Sequence, residues 1–119
     1  MALTITDDSI DGVIVVHLCG TIFYDAESTT LRFHVKDLLG KSHQIVLDLR
    51  NVARIDSSGL GTLVALYTSA RKIGGDIKLA NVGTHLKEAL RITRLVTVFD
   101  IFDRTEDAVA SFNRAAATG

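Results

Sequence analysis

The sequence contains no proline and no tryptophan, and its only cysteine is Cys19. Without a second cysteine the chain cannot close an internal disulfide, which agrees with a reducing compartment such as the cytosol. Cys19 ends an apolar run and has no adjacent base in sequence, so we expect a buried and inert thiol there. Because proline is absent, no native cis-prolyl bond can slow folding.

An excess of either charge is also missing. The 13 lysine and arginine residues nearly balance the 14 aspartate and glutamate residues, which gives a formal net charge of −1. A nucleic-acid-binding domain needs basic residues in excess to neutralise phosphates, so nucleic acid is disfavoured as a partner.

Long apolar runs and targeting signals are absent as well. No stretch approaches the ~20 apolar residues that a membrane helix requires. The first residues, Met-Ala-Leu-Thr-Ile-Thr-Asp-Asp, have neither the basic start nor the apolar stretch of a signal peptide. We therefore expect a cytoplasmic protein without membrane insertion.

Length and composition indicate one globular domain. The chain has 119 residues, of which 47% are hydrophobic and 23% charged, so it can bury one core and is not disordered. We assign residues 1–119 to a single domain with a core over about residues 3–112.

Hydrophobic periodicity predicts the element order β-β-α-β-α-β-α-β-α. Strands are predicted over residues 3–6, 13–18, 44–49, 76–80 and 96–102. Helices are predicted over residues 25–39 and 58–73, with a third capped by Thr84 and a fourth capped by Asp103. The Asp11-Gly12 turn signal makes the first two strands a hairpin. The predicted fold class is α/β, with a mixed β-sheet whose N-terminal hairpin is followed by alternating helices and strands.

The segment Ile-Asp-Ser-Ser-Gly-Leu-Gly, residues 55–61, carries the clearest chemical signal. It lies where a central strand ends and a buried helix begins, so free N–H groups and the helix dipole favour an anion there. Asp56 or Ser57 can supply the N-cap oxygen. Gly59 and Gly61 leave the first turn without bulk, so another surface can approach the backbone. Helix capping and helix–sheet packing alone would account for the same residues.

Several catalytic and ligand motifs are incomplete in this segment. It lacks the lysine of a P-loop, the Gly-x-Ser-x-Gly order of a serine hydrolase and the third glycine of a dinucleotide fingerprint. The histidines show no metal-ligand spacing, so we expect no metal, no cofactor and no catalytic residue; they are His17, His34, His43 and His85. We expect Asp48 to be a buried or half-buried carboxylate with a structural role.

The order of motifs resembles that of a known family. Ile-Val-Leu-Asp-Leu is followed by Ile-Asp-Ser-Ser-Gly-Leu-Gly, an apolar helix and Gly-Gly-Asp-Ile-Lys-Leu-Ala-Asn. Together these segments resemble the STAS domain and, more narrowly, the anti-sigma factor antagonists. The resemblance covers about residues 3–112 and is strongest over residues 45–81. It implies a STAS-like single domain.

The resemblance also implies a function. In this family the unphosphorylated antagonist binds an anti-sigma factor that is also a serine kinase, and this frees a sigma factor. The kinase phosphorylates the serine directly after the motif aspartate, the complex dissociates, and a serine phosphatase resets the antagonist. Carried over, the acceptor is Ser57, with Ser58 as second choice. The implied partner-binding residues are Asp25, Asp56, Ser57, Ser58, Gly59, Leu60 and Gly61.

The chain departs from the family pattern at residues 20–27, which are longer and more apolar than Gly-Glu-Leu-Asp. Asp25 either replaces the family's acidic residue or caps the first helix. Phe23 is either an interface anchor or a core residue.

Two other functions stay open from the sequence. One is an unphosphorylated STAS scaffold or accessory subunit of a stress-signalling or membrane transport complex. The other is an enzyme with Ser57 as nucleophile and Asp56 as helper, which is disfavoured because no base adjoins the serine in sequence.

Overall fold

The computed structural model describes the backbone of residues 3–118, and their side chains except those of residues 24, 25 and 114–118. Within these residues the chain forms five strands, four α-helices and a 3₁₀ turn. In chain order they are β1 (Thr4–Ile10), β2 (Val13–Ile22), α1 (Tyr24–Leu39), β3 (Gln44–Ile55), α2 (Ser57–Lys72), β4 (Asp76–Ala80), α3 (Thr84–Ile92), the 3₁₀ turn (Leu95–Thr97), β5 (Ile101–Phe102) and α4 (Thr105–Thr118). None of the described helices is long and apolar enough to cross a membrane.

The strands form one mixed sheet in the order β1-β2-β3-β4-β5. β1 and β2 are antiparallel, and the other three neighbouring pairs are parallel. Asp11 and Gly12 join β1 to β2 with φ angles of 51° and 82°, the two positive values that a type I′ hairpin turn requires. The predicted fold class, with its opening hairpin and mixed sheet, is confirmed.

Helices cover both faces of the sheet. Ile45, Leu47 and Leu49 of β3 point into the larger core, which α1, α2 and α3 close. Val46, which points the other way, packs in a second cluster with Val109 and other residues of α4. This two-sided burial explains why β3 is apolar at successive positions.

β1 runs to Ile10, four residues beyond the predicted end at Thr6. The polar residues at its end can lie in a strand because β1 is an edge strand and histidines hold their side chains. His34 Nε2 lies 2.8 Å from the Asp7 carboxylate, and His17 Nε2 lies 3.1 Å from that of Asp8.

The last predicted strand is shorter than expected. Only Ile101–Phe102 pairs with β4, because the chain before it turns in a 3₁₀ conformation after Arg94, whose φ is 63°. Both predicted helix caps are also wrong. α3 begins at Thr84 with Gly83 as N-cap, and α4 begins at Thr105, two residues beyond Asp103.

The expectation for Cys19 is wrong as well, because its thiol is exposed. Cys19 lies on the side of the sheet opposite the buried Leu18. That side is covered by α4 only over the earlier β2 residues Val13 and Val15. The apolar run therefore continues past the part of the sheet that α4 covers, and Cys19 lies in the uncovered part.

A polar cluster ties β2, β3 and α4 together on the α4 side of the sheet. His17 Nδ1 donates to the buried Asp48 carboxylate at 2.6 Å. Asn81 Nδ2 donates to Asp48 Oδ1 at 2.8 Å and to Thr105 Oγ1 at 2.9 Å. Asp48 is therefore a buried structural carboxylate, as predicted.

The cluster shifts the pKa values of His17 and Asp48 in opposite directions. The hydrogen bond to Asp48 raises the pKa of His17 above 6.5, although burial acts in the opposite direction. Burial raises the pKa of Asp48, but hydrogen bonds from Asn81, from His17 and from the Arg50 amide outweigh burial and lower that pKa below 3.8. The fold therefore favours protonated His17 beside ionised Asp48.

His17→Gln should destabilise the protein in a pH-dependent way. The stability that His17 contributes is complete below the pKa that this histidine has in the unfolded chain. It is lost as the pH rises through the higher pKa that His17 has in the folded protein. The free energy of unfolding should therefore fall by about 1 kcal/mol near pH 5.5, and by less near pH 8.5. Urea denaturation at both pH values measures this, with His85→Gln, an exposed position on α3, as the control. An equal loss at both pH values would contradict the assignment.

Candidate functional site

Residues 55–61 form the junction between β3 and α2. Asp56 is the N-cap of α2, with extended backbone angles, and its side chain accepts the Gly59 N–H at 3.0 Å. The Asp56 N–H donates to the Ile22 carbonyl at 3.3 Å, which attaches the junction to the end of β2. Of the two residues predicted as possible caps, Asp56 is the one that caps the helix.

The two adjacent serines have different environments. Ser57, the first residue of α2, is exposed, and no hydrogen bond to another described residue holds its side chain. Ser58 is half-buried, and its hydroxyl donates to Asp56 Oδ1 at 2.6 Å. The Ser58 Oγ also lies 3.0 Å from the Ser28 Oγ of α1. Ser57 is therefore the accessible hydroxyl of the pair.

The two glycines of the motif also differ. A Cβ on Gly59 would lie 2.7 Å from the Ile22 carbonyl oxygen and would overlap the Ile55 side chain. Gly59 is thus needed for the close approach of α2 to β2. A Cβ on Gly61 would meet no atom within 4 Å. Packing of the helix against the sheet therefore explains why residue 59 is glycine but does not explain why residue 61 is.

The segment before α1 lies beside this junction, because Ile22 pairs with Ile55 in the sheet. Phe23 is half-buried, and the Arg54 guanidinium lies 5.4 Å from its ring centroid. Phe23 is therefore neither a fully exposed anchor nor a fully buried core residue.

Asp25 is the second residue of α1 and therefore not its N-cap; Phe23 holds that position. The Asp25 side chain lies outside the described residues. Glu27 accepts the Phe23 N–H at 2.8 Å and the Thr21 hydroxyl at 3.3 Å. Sequence reasoning missed Glu27, although a glutamate in the first turns of a helix often bonds back to the cap.

The structure brings residues 56–61 together in one turn at the start of α2. Ser57 and Gly61 are exposed, Asp56, Ser58 and Leu60 are half-buried, and Gly59 is buried. Gly59 therefore shapes the turn from inside, whereas its neighbours form the surface.

Two large cavities among the described residues lie away from this turn. One, of about 640 Å³, lies where β3 and β4 begin, and includes Gln44 and Gly75. The other, of about 700 Å³, lies between β2 and α4 and includes His17 and Val109. Among the described residues, no His, Cys, Asp and Glu side chains are grouped to hold a metal ion. Neither of these two cavities includes Ser57.

Comparison with known proteins gives consistent results. The sequence model of the STAS domain matches residues 4–108. The anti-sigma-B factor antagonist of Bacillus subtilis is 32% identical over 97 residues, which cover 81% of this chain and 87% of that protein. These matches confirm the resemblance inferred from the motifs.

Solved structures share the fold. An anti-sigma factor antagonist from Mycobacterium paratuberculosis superposes with a TM-score of 0.83 at 22% identity, over 92% of this chain and 93% of that one. The murine Solute Carrier 26 family member A9 anion transporter gives a TM-score of 0.75 at 21% identity, over 96% of this chain but 22% of the transporter. The same fold therefore occurs both as a whole small protein and as part of a transporter.

Alanine should destabilise the protein at Gly59 and should not destabilise it at Gly61. Gly59→Ala should lower the free energy of unfolding by about 1–3 kcal/mol, because the added methyl group overpacks the contact with Ile22 and Ile55. Gly61→Ala should leave it unchanged or raise it by up to about 1 kcal/mol, because alanine favours the helix and meets open space. Chemical denaturation of both variants measures the difference, and equal destabilisation would contradict this account of the turn.

Proposed function

Because this chain belongs to the STAS domain family, we propose that it is an anti-sigma factor antagonist controlled by phosphorylation of Ser57. The unphosphorylated protein binds an anti-sigma factor with serine kinase activity and so frees a sigma factor. Phosphorylation of Ser57 abolishes binding, and a serine phosphatase restores it. The protein acts in the bacterial cytoplasm, where the kinase and its ATP are found, and it has no catalytic activity of its own.

The observation that carries this proposal is the difference between the two serines. A kinase must reach the hydroxyl that it modifies. Ser57 is exposed at the first position of α2, whereas the Ser58 hydroxyl is bonded to Asp56 at 2.6 Å. This difference favours Ser57 over Ser58 as the acceptor.

The proposed partner surface surrounds Ser57. Gly61 is exposed with open space above it, so a partner can approach the α2 backbone closely there. The half-buried Leu60 adds an apolar contact. Ser58 and Gly59 shape this surface from behind, and Asp25 contributes from the start of α1.

A phosphate on Ser57 would have little effect on the fold. It adds about −1.5 to −2 charges near pH 7. At a helix N-terminus an anion gains about 0.3–1 kcal/mol from the dipole. The Asp56 carboxylate in the preceding position repels the phosphate and offsets part of that gain.

The same phosphate would act strongly on a complex. A partner that covers Ser57 has to desolvate the dianion, and an unpaired buried charge costs several kcal/mol. A thousandfold loss of affinity takes about 4 kcal/mol. Charge and bulk at one exposed residue are therefore enough to dissociate a tight complex.

An unphosphorylated scaffold or transporter accessory domain is the second candidate. It is favoured by the likeness in fold to part of an anion transporter, in which the matching region is 22% of the chain. In that case Ser57 would be a surface residue without a modification.

Mass spectrometry should separate these candidates. After incubation with ATP and each candidate serine kinase of its host, the wild-type protein should gain one phosphate within a time in which Ser57→Ala gains none, and any phosphate on Ser58 of Ser57→Ala should appear only on much longer incubation. Ser9→Ala, which removes an exposed serine from β1, should behave as wild type and is the control. If no kinase of the host modifies the wild-type protein, the scaffold replaces the antagonist as the proposed function.

Binding and melting measurements test the charge mechanism. Ser57→Ala should bind the kinase partner as tightly as wild type, and Ser57→Asp at least about tenfold more weakly, which corresponds to about 1.4 kcal/mol. Titration calorimetry gives both affinities. The phosphorylated protein should melt within about 5 °C of the unmodified protein. Tight binding by Ser57→Asp, or a much lower melting temperature after phosphorylation, would refute the mechanism.

A further inference from the structure

One contact near the proposed switch has no role in the family resemblance. Ser28, in the second turn of α1, is only 4% exposed, and its hydroxyl lies 3.0 Å from that of Ser58. The two residues, here called the serine pair, are 30 positions apart in sequence. A buried hydroxyl needs a hydrogen-bond partner, and Ser58 supplies it.

The direction of these hydrogen bonds follows from counting protons. A serine hydroxyl has one proton to donate. Ser58 donates its proton to Asp56 Oδ1 at 2.6 Å. Ser28 therefore donates to Ser58 Oγ, and the hydrogen bonds run from Ser28 through Ser58 to the N-cap carboxylate of α2.

We propose that Ser28 is a specificity-determining residue of the phosphorylation switch, which holds the Ser58 hydroxyl in the α1–α2 contact and leaves Ser57 as the acceptor. This inference rests on the proposed function. In this proposal a buried residue of α1 determines which of two adjacent serines of α2 is phosphorylated.

The physical basis is the geometry of phosphoryl transfer. The acceptor oxygen must lie in line with the γ-phosphate, and its proton must pass to a base of the kinase. Ser58 could meet these demands only after it breaks its bonds to Asp56 and Ser28 and rotates outward. Ser57 is already exposed and breaks no such bond.

A double-mutant cycle tests the contact without a kinase. Ser28→Ala, Ser58→Ala and the double variant are compared by chemical denaturation. The coupling between the two positions should be about fivefold in the folding equilibrium constant, as for a neutral hydrogen bond. Thr29→Ala removes an exposed hydroxyl from the same helical turn and should show no coupling to Ser58.

Phosphorylation in a Ser57→Ala background tests the specificity. The host kinase that modifies the wild-type protein is used, and peptide mapping follows phosphate on Ser58. The double variant Ser57→Ala/Ser28→Ala should be phosphorylated on Ser58 at least about fivefold faster than Ser57→Ala, because one of the two restraining hydrogen bonds is gone. Ser57→Ala/Thr29→Ala should match Ser57→Ala.

Each contrary result has a distinct meaning. Absent coupling, or coupling with an unchanged rate at Ser58, overturns the role of Ser28 while the proposed function stands. Rapid phosphorylation of Ser58 in Ser57→Ala alone also overturns it, because Ser58 would then be accessible with Ser28 in place. A wild-type protein that takes up no phosphate overturns the proposed function and the specificity role with it.

Discussion

The carboxylate of Asp56 accepts two hydrogen bonds on Oδ1, from the Gly59 amide at 3.0 Å and from the Ser58 hydroxyl at 2.6 Å. These bonds fix where α2 begins, and the position of each later residue follows from that start. Ser57 lies at the exposed first position, and Gly59 faces the end of β2, where a side chain has no room. A helix that began one residue earlier or later would rotate these residues by about 100° around the helix axis. The accessible serine and the buried glycine are thus consequences of one cap.

Much of this arrangement could be predicted from the sequence because its signals are local. The apolar periods of β2, β3 and α2, the Asp11-Gly12 turn and the Asp-Ser-Ser-Gly junction each depend on neighbours within a few residues. The features that were missed depend on distant ones. Residues 7–10 belong to β1 because they pair with β2, and the aspartates among them bond to His17 and His34. Cys19 is exposed because α4 does not cover that part of the sheet, and no local pattern carries this information.

The serine pair gives the clearest case of such non-local information. Both Ser28 and Ser58 are ordinary residues near a helix start, and sequence alone gives no reason to connect them. Packing of α1 against α2 brings their hydroxyl oxygens to 3.0 Å. Because a hydroxyl both donates and accepts, Ser58 can receive the Ser28 proton and still give its own to Asp56. Ser58, the second serine of the motif, therefore uses its proton and one of its two acceptor sites inside the protein.

A modification at the start of a helix can weaken the binding of a partner while it leaves the stability of the fold nearly unchanged. In the free domain, solvent would hydrate a phosphate on Ser57, and the dipole of α2 and the Asp56 carboxylate would act on it in opposite directions. In a complex the same group would lose its hydration, and the residue directly before it in the chain, Asp56, carries a carboxylate. The polar cluster around Asp48 lies on the α4 side of the sheet, so its titration is remote from this turn. The penalty from such a phosphate would therefore fall on association, while the core that α1, α2 and α3 build against the sheet would stay intact.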